Sequence, residues 1–281
     1  MFITDAQVHI WGPSTSERPW PADGAARTHR VPPIDADELI GEMDAAGVNR
    51  TVLVPPSWEG DYNDLVLAAA AKYPDRFGVM GRLNLRDPSA VDLRHWNDSP
   101  GMLGVRLTFH VDTTLADADW FWPAAADAGL PVMVFNPGHT PEVGDVARRF
   151  PELRIVLDHL NLSTSAISEE DIAAAIEPLL PLAELDNVAV KVSALPCAIE
   201  ESYPFPSLTS HVRRVVDAFG AERCMWGSDL SRLPCPYPDW VNAMAEGLGC
   251  LTPEETEWVM GRAVSSWLDW PAPDEAQAKR K

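Results

Sequence analysis

The sequence predicts an α/β protein: a single-domain (β/α)8 TIM barrel over residues 1–270, followed by a polar tail over 271–281. Three observations predict it. Short apolar runs alternate with amphipathic stretches along the whole chain, which implies parallel strands joined by helices. Eight such runs can be counted, the number at which a parallel sheet closes on itself. No glycine-rich phosphate turn follows the first run, which counts against a doubly wound open sheet. The chain has 281 residues, the usual size of one such barrel.

The strand-like runs lie at 2–10, 50–54, 77–83, 103–108, 130–135, 154–157, 188–193 and 224–227. Helical spacing covers 35–46, 62–73, 117–128, 141–150, 168–182 and 207–219, with closing helices at 237–246 and 253–268. The connection at 88–96 has no clear period. Ser168, followed by Glu169, Glu170 and Asp171, supplies an oxygen cap and negative charge at a helix N-terminus. Ser207 is placed to cap its own helix. Gly47 and Gly129 follow helices at the left-handed C-cap position. The segment 11–33 is rich in Pro, Ser and Arg, and its length marks it as a lid. The tail is polar and proline-bearing, and is expected to fray.

Hydrophobic residues make up 46% of the chain, enough for a globular interior, and the formal net charge is −20. Nucleic acid and anionic membranes need a basic surface, so neither is an expected partner. An anionic small molecule would need a local arginine or lysine pocket. No apolar run reaches the roughly 18–20 residues that span a bilayer. No basic segment precedes an apolar run near the N-terminus, so a cytoplasmic protein is expected. Cys197, Cys224, Cys235 and Cys250 contain no CxxC pair and match neither a disulfide framework nor a zinc ribbon. Cys224 is expected in the core. Cys197 and Cys235 fall in loops at the barrel mouth, where a reactive thiol is an open reading. The helix faces are compatible with a monomer or a homo-oligomer.

In such a barrel, chemistry sits at the C-terminal ends of the strands. Strand one ends with Asp5, Gln7, His9 and then Trp11. Period-two alternation puts Asp5, Gln7 and His9 on the lumen face. Strand four brings Arg106, then His110. Strand five brings Asn136, with His139 three residues on. Strand six runs into Asp158 and His159, strand seven carries Lys191 and Ser193, and strand eight runs into Asp229. Alternation turns Asp158 away from the lumen and makes it structural. Unpaired buried polar groups cost about 1–3 kcal/mol each, so this convergence from separate strands points to a functional pocket.

Asp5-Ala6-Gln7-Val8-His9-Ile10-Trp11, Gly104-Val105-Arg106, Val156-Leu157-Asp158-His159 and Met225-Trp226-Gly227-Ser228-Asp229 carry a resemblance. So does the stretch from Tyr203-Pro204-Phe205-Pro206 through Phe219-Gly220 to Asp229. Together they resemble the amidohydrolase superfamily, most of all its amidohydrolase-related branch of lactonases and nonoxidative decarboxylases. The likeness covers roughly the whole chain; its motifs are specific for the superfamily and weak for substrate. The resemblance implies a His-x-His on strand one, a histidine or modified lysine on a middle strand, a histidine on strand six and an aspartate on strand eight. Most members bind one or two divalent metals there. His9, His159 and Asp229 match three of these positions. Gln7 stands where the first histidine is usual, and Asn136 where a strand-five histidine is usual. Imidazole is a strong zinc ligand and a carboxamide a poor one, so the expected site has no metal. A divalent metal on His9, His159 and Asp229 is the alternative. His139 is expected to lie outside the mouth.

The resemblance then implies a hydrolase acting on a small carboxylated lactone or ester. Asp229 would be the base on a water and later protonate the leaving oxygen, with His159 and His9 polarising the carbonyl. Gln7 and Asn136 would donate amide hydrogens to the substrate. Arg106 and Arg232 would bind its carboxylate as forks. Lys191 would do the same or pair with a lumen carboxylate, and Trp11, Trp20 and Tyr203 would form an aromatic wall. Two rival readings stand beside this one: a metal-dependent nonoxidative decarboxylase of an aromatic or unsaturated carboxylate, and a barrel that binds a small molecule without turnover.

Overall fold

The structure is a computed structural model and describes residues 1–22, 24, 28–30, 32–109 and 114–272. Eight strands run in the order of the sequence: β1 (Thr4–Val8), β2 (Arg50–Leu53), β3 (Phe77–Gly81), β4 (Met102–Thr108), β5 (Val132–Phe135), β6 (Ile155–Leu157), β7 (Val188–Ser193) and β8 (Cys224–Gly227). Each pairs in parallel with the next. The seam between β8 and β1 is bridged where Asp229 N donates to Gln7 O (2.9 Å) and Ser228 N donates to Asp5 Oδ1 (2.9 Å). The result is a nearly closed (β/α)8 barrel.

Its wall reads as near-continuous apolar sequence because both faces are buried. Ala6, Val52, Val54, Met80, Met133, Val156, Ala189 and Met225 fill the lumen, and Ala263, Val264 and Leu268 of the C-terminal helix pack into the same cluster. The outer face is covered by α1 (Ala36–Ala46), α2 (Asp64–Lys72), α3 (Phe121–Asp127), α4 (Thr140–Arg149), α5 (Glu169–Ile176), α6 (Leu208–Phe219) and α7 (Tyr237–Ala245). The C-terminal helix is interrupted: α8 (Pro253–Glu257) passes through a π-turn (Trp258–Arg262) into α9 (Ala263–Trp267).

Helix ends are capped by side chains and glycines, some of them expected from the sequence and one, Asp35, not. Asp35 accepts from Asp37 N and Glu38 N at the start of α1, and Gly47 ends it at φ 75°. Ser168 caps α5 through Asp171 N. Ser207 does not cap α6; its N–H and hydroxyl both donate to Glu201. The aperiodic connection is two 3-10 turns, Pro88–Ala90 and Leu93–Asp98. The 168–182 helix breaks after Ile176, and Leu180–Glu184 continues as a 3-10 turn with Pro181 in its first turn. His110 and residues 273–281 lie outside the described residues.

Alternation fails at two places that matter. Asp5 does not face the lumen. Its carboxylate accepts from Gln7 N (2.9 Å), Ser228 N (2.9 Å) and Tyr237 Oη (2.7 Å). The β1–β2 register shifts between Asp5 and Val8, so Ala6 and Gln7 both take inward places. Burial of that carboxyl raises it to about 6, with the three donors pulling the other way. Asp158, expected to point away, points inward. Val156 lines the lumen, and Asp158 is two residues on, on the same face. It is His159 that breaks the period.

Candidate active site

β6 stops at Leu157, and the backbone then turns left-handed at His159 (φ 55°), Leu160 (φ 52°) and Asn161 (φ 55°). Asp229, after β8, is left-handed as well (φ 53°). Such residues cost about 1–3 kcal/mol each and persist only where their surroundings hold them. Here the surroundings do. Asn161 Oδ1 accepts from Asn136 N (2.8 Å), and Asn161 Nδ2 donates to Asn136 O (2.7 Å) and Thr140 Oγ1 (2.8 Å). Asp229 is pinned to Gln7 O through its N–H, and its carbonyl accepts from Arg232 N (2.8 Å). The two turns bring His159 and Asp229 back over the lumen.

Both line one cavity of about 470 Å³ at the mouth, together with His9, Trp11, Arg106 and Arg232. His9 Nε2 lies 3.3 Å from Asp229 Oδ1, and Arg232 Nη1 lies 3.5 Å from Asp229 Oδ2. Burial alone would raise the Asp229 carboxyl. The hydrogen bond from His9 and the Arg232 charge outweigh it and hold the group well below the usual carboxylate range, so it is ionised at neutral pH. Asp229 Oδ1 is buried without a well-aligned hydrogen bond. His159 Nδ1 is 2.8 Å from Ser193 Oγ, and burial pulls its imidazole down to about 4, leaving it neutral. His9 Nδ1 is 2.7 Å from Val54 O. A carbonyl only accepts, so Nδ1 carries a proton.

Beneath the mouth lies a buried charge network. Arg106 Nε donates to Asp158 Oδ2 (2.7 Å), and Lys191 Nζ lies 2.9 Å from Asp158 Oδ1 and donates to Gln7 Oε1 (2.6 Å). Asp158 is held below its ordinary range: burial opposes ionisation, but Lys191 and Arg106 overcome it. Lys191 is fully buried and lowered by that burial, with Asp158 opposing. Arg106 spends only its Nε on Asp158 and still lines the cavity.

Several residues expected to contact substrate do not line that cavity. Gln7 and Lys191 sit below the cavity and bond each other. Asn136 lines an adjoining cavity of about 690 Å³, on the far side of Phe135, because its backbone is clamped to Asn161. Tyr203 is 41% exposed, donates to Glu246 on the surface and does not line the cavity. Trp20 backs Trp58 edge-on at 5.4 Å instead of lining the site. His139 is exposed and paired with Glu142, outside the mouth as expected. Burial pushes the Cys197 thiol up to about 12 and that of Cys235 to about 11, which removes the reactive-thiol reading. Among the cavity residues that the sequence reading did not single out are His29, within the lid segment, and Trp58, just after β2. Applying the strand-end rule to β2 finds Trp58.

The amidohydrolase family profile matches residues 4–263. The chain belongs to the amidohydrolase family. L-fucono-1,5-lactonase of Burkholderia ambifaria is 29% identical over 255 residues, covering 85% of this chain and 84% of that protein. The 4-sulfomuconolactone hydrolase of Hydrogenophaga intermedia is 24% identical over 237 residues, covering 80% and 73%. A probable 2-pyrone-4,6-dicarboxylic acid hydrolase from Acinetobacter baumannii, crystallised with citric acid, superposes with a TM-score of 0.74 at 19% identity, covering 96% of this chain and all of that one. The chain is therefore an enzyme of lactonase-like type. Among the described residues no helix is long and apolar enough to cross a membrane.

A divalent metal here would need His9, His159 and Asp229 as its donor set. It fits poorly. Gln7 replaces one histidine, and its amide nitrogen lies 3.3 Å from His9 Nε2, on the lone pair that a metal would need. Among the described residues, no three His, Cys, Asp or Glu side chains are grouped to hold an ion.

Proposed function

We propose that this enzyme hydrolyses a small lactone or ester carrying a carboxylate, without a metal, using Asp229 as the base. The observation that carries the reading is Asp229 Oδ1: ionised, buried and without a well-aligned partner, at the edge of a cavity that two arginines also line. A water held by Asp229 Oδ1 attacks the carbonyl carbon as Asp229 takes its proton. Asp229 is a weak base in free-energy terms, but the transfer accompanies attack, and its ionised form is fully populated. His159, receiving the Ser193 hydroxyl at Nδ1, donates Nε2–H to the oxyanion. The ring C–O bond then breaks, and Asp229 returns the proton to the departing oxygen. The product is a hydroxy acid. Arg106, through its two free Nη groups, and Arg232 bind the substrate carboxylate. His9, anchored by its Nδ1–H to Val54 O, holds the Asp229 carboxylate in place beside the carbonyl.

Support comes from the lactone-hydrolysing relatives and from the poor fit of a metal, which also weighs against the metal-dependent decarboxylase reading. The test is Asp229→Asn on a panel of lactones with and without a carboxylate. The expected loss in kcat is about 10²–10⁴-fold with binding of the lactone retained. Unchanged turnover would remove Asp229 from the chemistry.

A further inference from the structure

We propose that Thr108 is a specificity-determining residue that gives its hydroxyl hydrogen to an oxygen at the carboxylate end of the substrate, and that Arg82 is the positioning residue that turns it there. The inference rests on the hydrolase reading for its choice of ligand, but its test reads binding and stands apart from turnover.

Arg106 and Thr108 are two residues apart on β4, which puts their side chains on one face of the strand. Both line the cavity at the mouth, so both meet the same end of a bound molecule. Thr108 Oγ1 is 2.8 Å from Arg82 Nη1. A guanidinium carries only donors, so the threonine oxygen accepts in this bond and its own hydrogen points elsewhere. Among the described residues Arg82 is the one hydrogen-bond partner of that hydroxyl, and Thr108 is half-buried with its open side on the cavity. A hydroxyl that already accepts from a cation is left to donate.

Arg82 is itself built into place. It follows β3, and Asn63 clamps its backbone from both sides: Asn63 Oδ1 accepts from Arg82 N (2.8 Å), and Asn63 Nδ2 donates to Arg82 O (2.8 Å). The side chain is only 8% exposed and does not line the cavity. Burial, and after it the charge of Arg106, pull the guanidinium down to about 10, so it is still a cation at neutral pH. Its ion-pair partner, Asp61, lies 3.7 Å from Nε, beyond hydrogen-bond range, and Nε is buried without a hydrogen-bond partner. A buried cation so loosely paired leaves a positive potential beside Arg106, which favours an anionic oxygen at this wall. Guanidinium, hydroxyl and carboxylate then run from donor to acceptor throughout.

The experiment is titration calorimetry of the full-length enzyme with the same panel of lactones, with and without a carboxylate. Thr108→Val keeps the shape and removes the hydroxyl. Affinity for carboxylated lactones should fall about ten- to a hundredfold, the worth of a hydrogen bond to a charged group, and that for neutral lactones by less than about twofold. Thr108→Ser keeps the hydroxyl and should bind within about threefold of the wild type. Arg82→Met should weaken carboxylated lactones in the wild-type background and add little once Thr108 is already replaced by valine. Arg82→Lys, which keeps the charge and loses the planar fork, serves in the same cycle if Arg82→Met does not fold. Unchanged binding by Thr108→Val, or a Thr108→Ser enzyme equally weak, overturns the role of the hydroxyl. Equal losses on carboxylated and neutral lactones overturn the choice of the carboxylate end. An Arg82 effect of the same size in both backgrounds overturns the positioning role. A wild type that binds no carboxylated lactone overturns the inference together with the reading beneath it. If Thr108→Val weakens binding as expected while the wild type turns over no lactone, the inference stands and the hydrolase reading falls.

Discussion

Asp158→Asn probes the lumen network most sharply. Asp158 is fully buried and faces two cations, Arg106 at 2.7 Å and Lys191 at 2.9 Å, which are themselves almost completely buried. The substitution keeps the shape and removes the charge. Two cations are then left in a dry lumen without a carboxylate. Breaking one buried pair costs about 3–5 kcal/mol, most of it the cost of the stranded charge. Taking about 4 kcal/mol, the melting temperature should fall by about 8–16 °C. Against a total of about 5–15 kcal/mol, that is a large fraction. Urea unfolding at neutral pH measures the loss directly, provided the denaturant slope stays constant. Lys191→Met supplies the second corner of a double-mutant cycle. With both partners gone, one stranded cation is removed, so the double variant should lose less than the sum of the singles by about 0.5–3 kcal/mol. An Asp158→Asn loss within about 0.5 kcal/mol, the range of a surface change, would refute the reasoning. So would strict additivity of the two substitutions.

Other outcomes follow from the same geometry. The His159 imidazole should titrate near 4 instead of its ordinary 6.5, followed by NMR; a midpoint above 6 would contradict its burial as the controlling effect. The sign is that of a depressed group: the folded state binds the proton less readily, so stability is lost as pH falls from about 6.5 toward about 4. Asp5 runs the other way, losing stability as pH rises from 3.8 to about 6, and the two slopes oppose where they overlap. Arg232→Met should raise KM for carboxylated lactones about tenfold or more and leave neutral lactones nearly unaffected; equal effects on both would remove Arg232 from carboxylate binding. Tyr203→Phe should alter neither activity nor stability beyond about 0.5 kcal/mol, because its hydroxyl contacts only an exposed Glu246; a large fall in kcat/KM would return it to the site.

The barrel was legible because both faces of every strand are buried, which writes each strand as an apolar run. The mouth was legible in part for the same reason: His9, Trp11, Arg106, Asp229 and Arg232 follow the ends of their strands. What alternation misplaced has a local cause. Asp5 hydrogen-bonds the backbone two residues on, and the register shift there sends it outward. His159 reaches the mouth only through a left-handed turn held by Asn161, a conformation that residue type does not announce. Lys191 and Gln7 carry polar side chains at strand ends, and sequence alone does not say that they satisfy each other below the cavity. Tyr203 belongs to a stretch typical of the family branch, but the chain there runs to the surface. His29 lies in a segment flagged only by its length.

The central claim is that water is activated by Asp229 without a metal. It is tested most directly by measuring kcat/KM on a carboxylated lactone before and after chelator treatment, with metal content determined on the same samples. The account predicts an unchanged rate in metal-depleted enzyme and no gain on adding zinc or manganese. A rate that falls with the metal and returns with it would contradict the account.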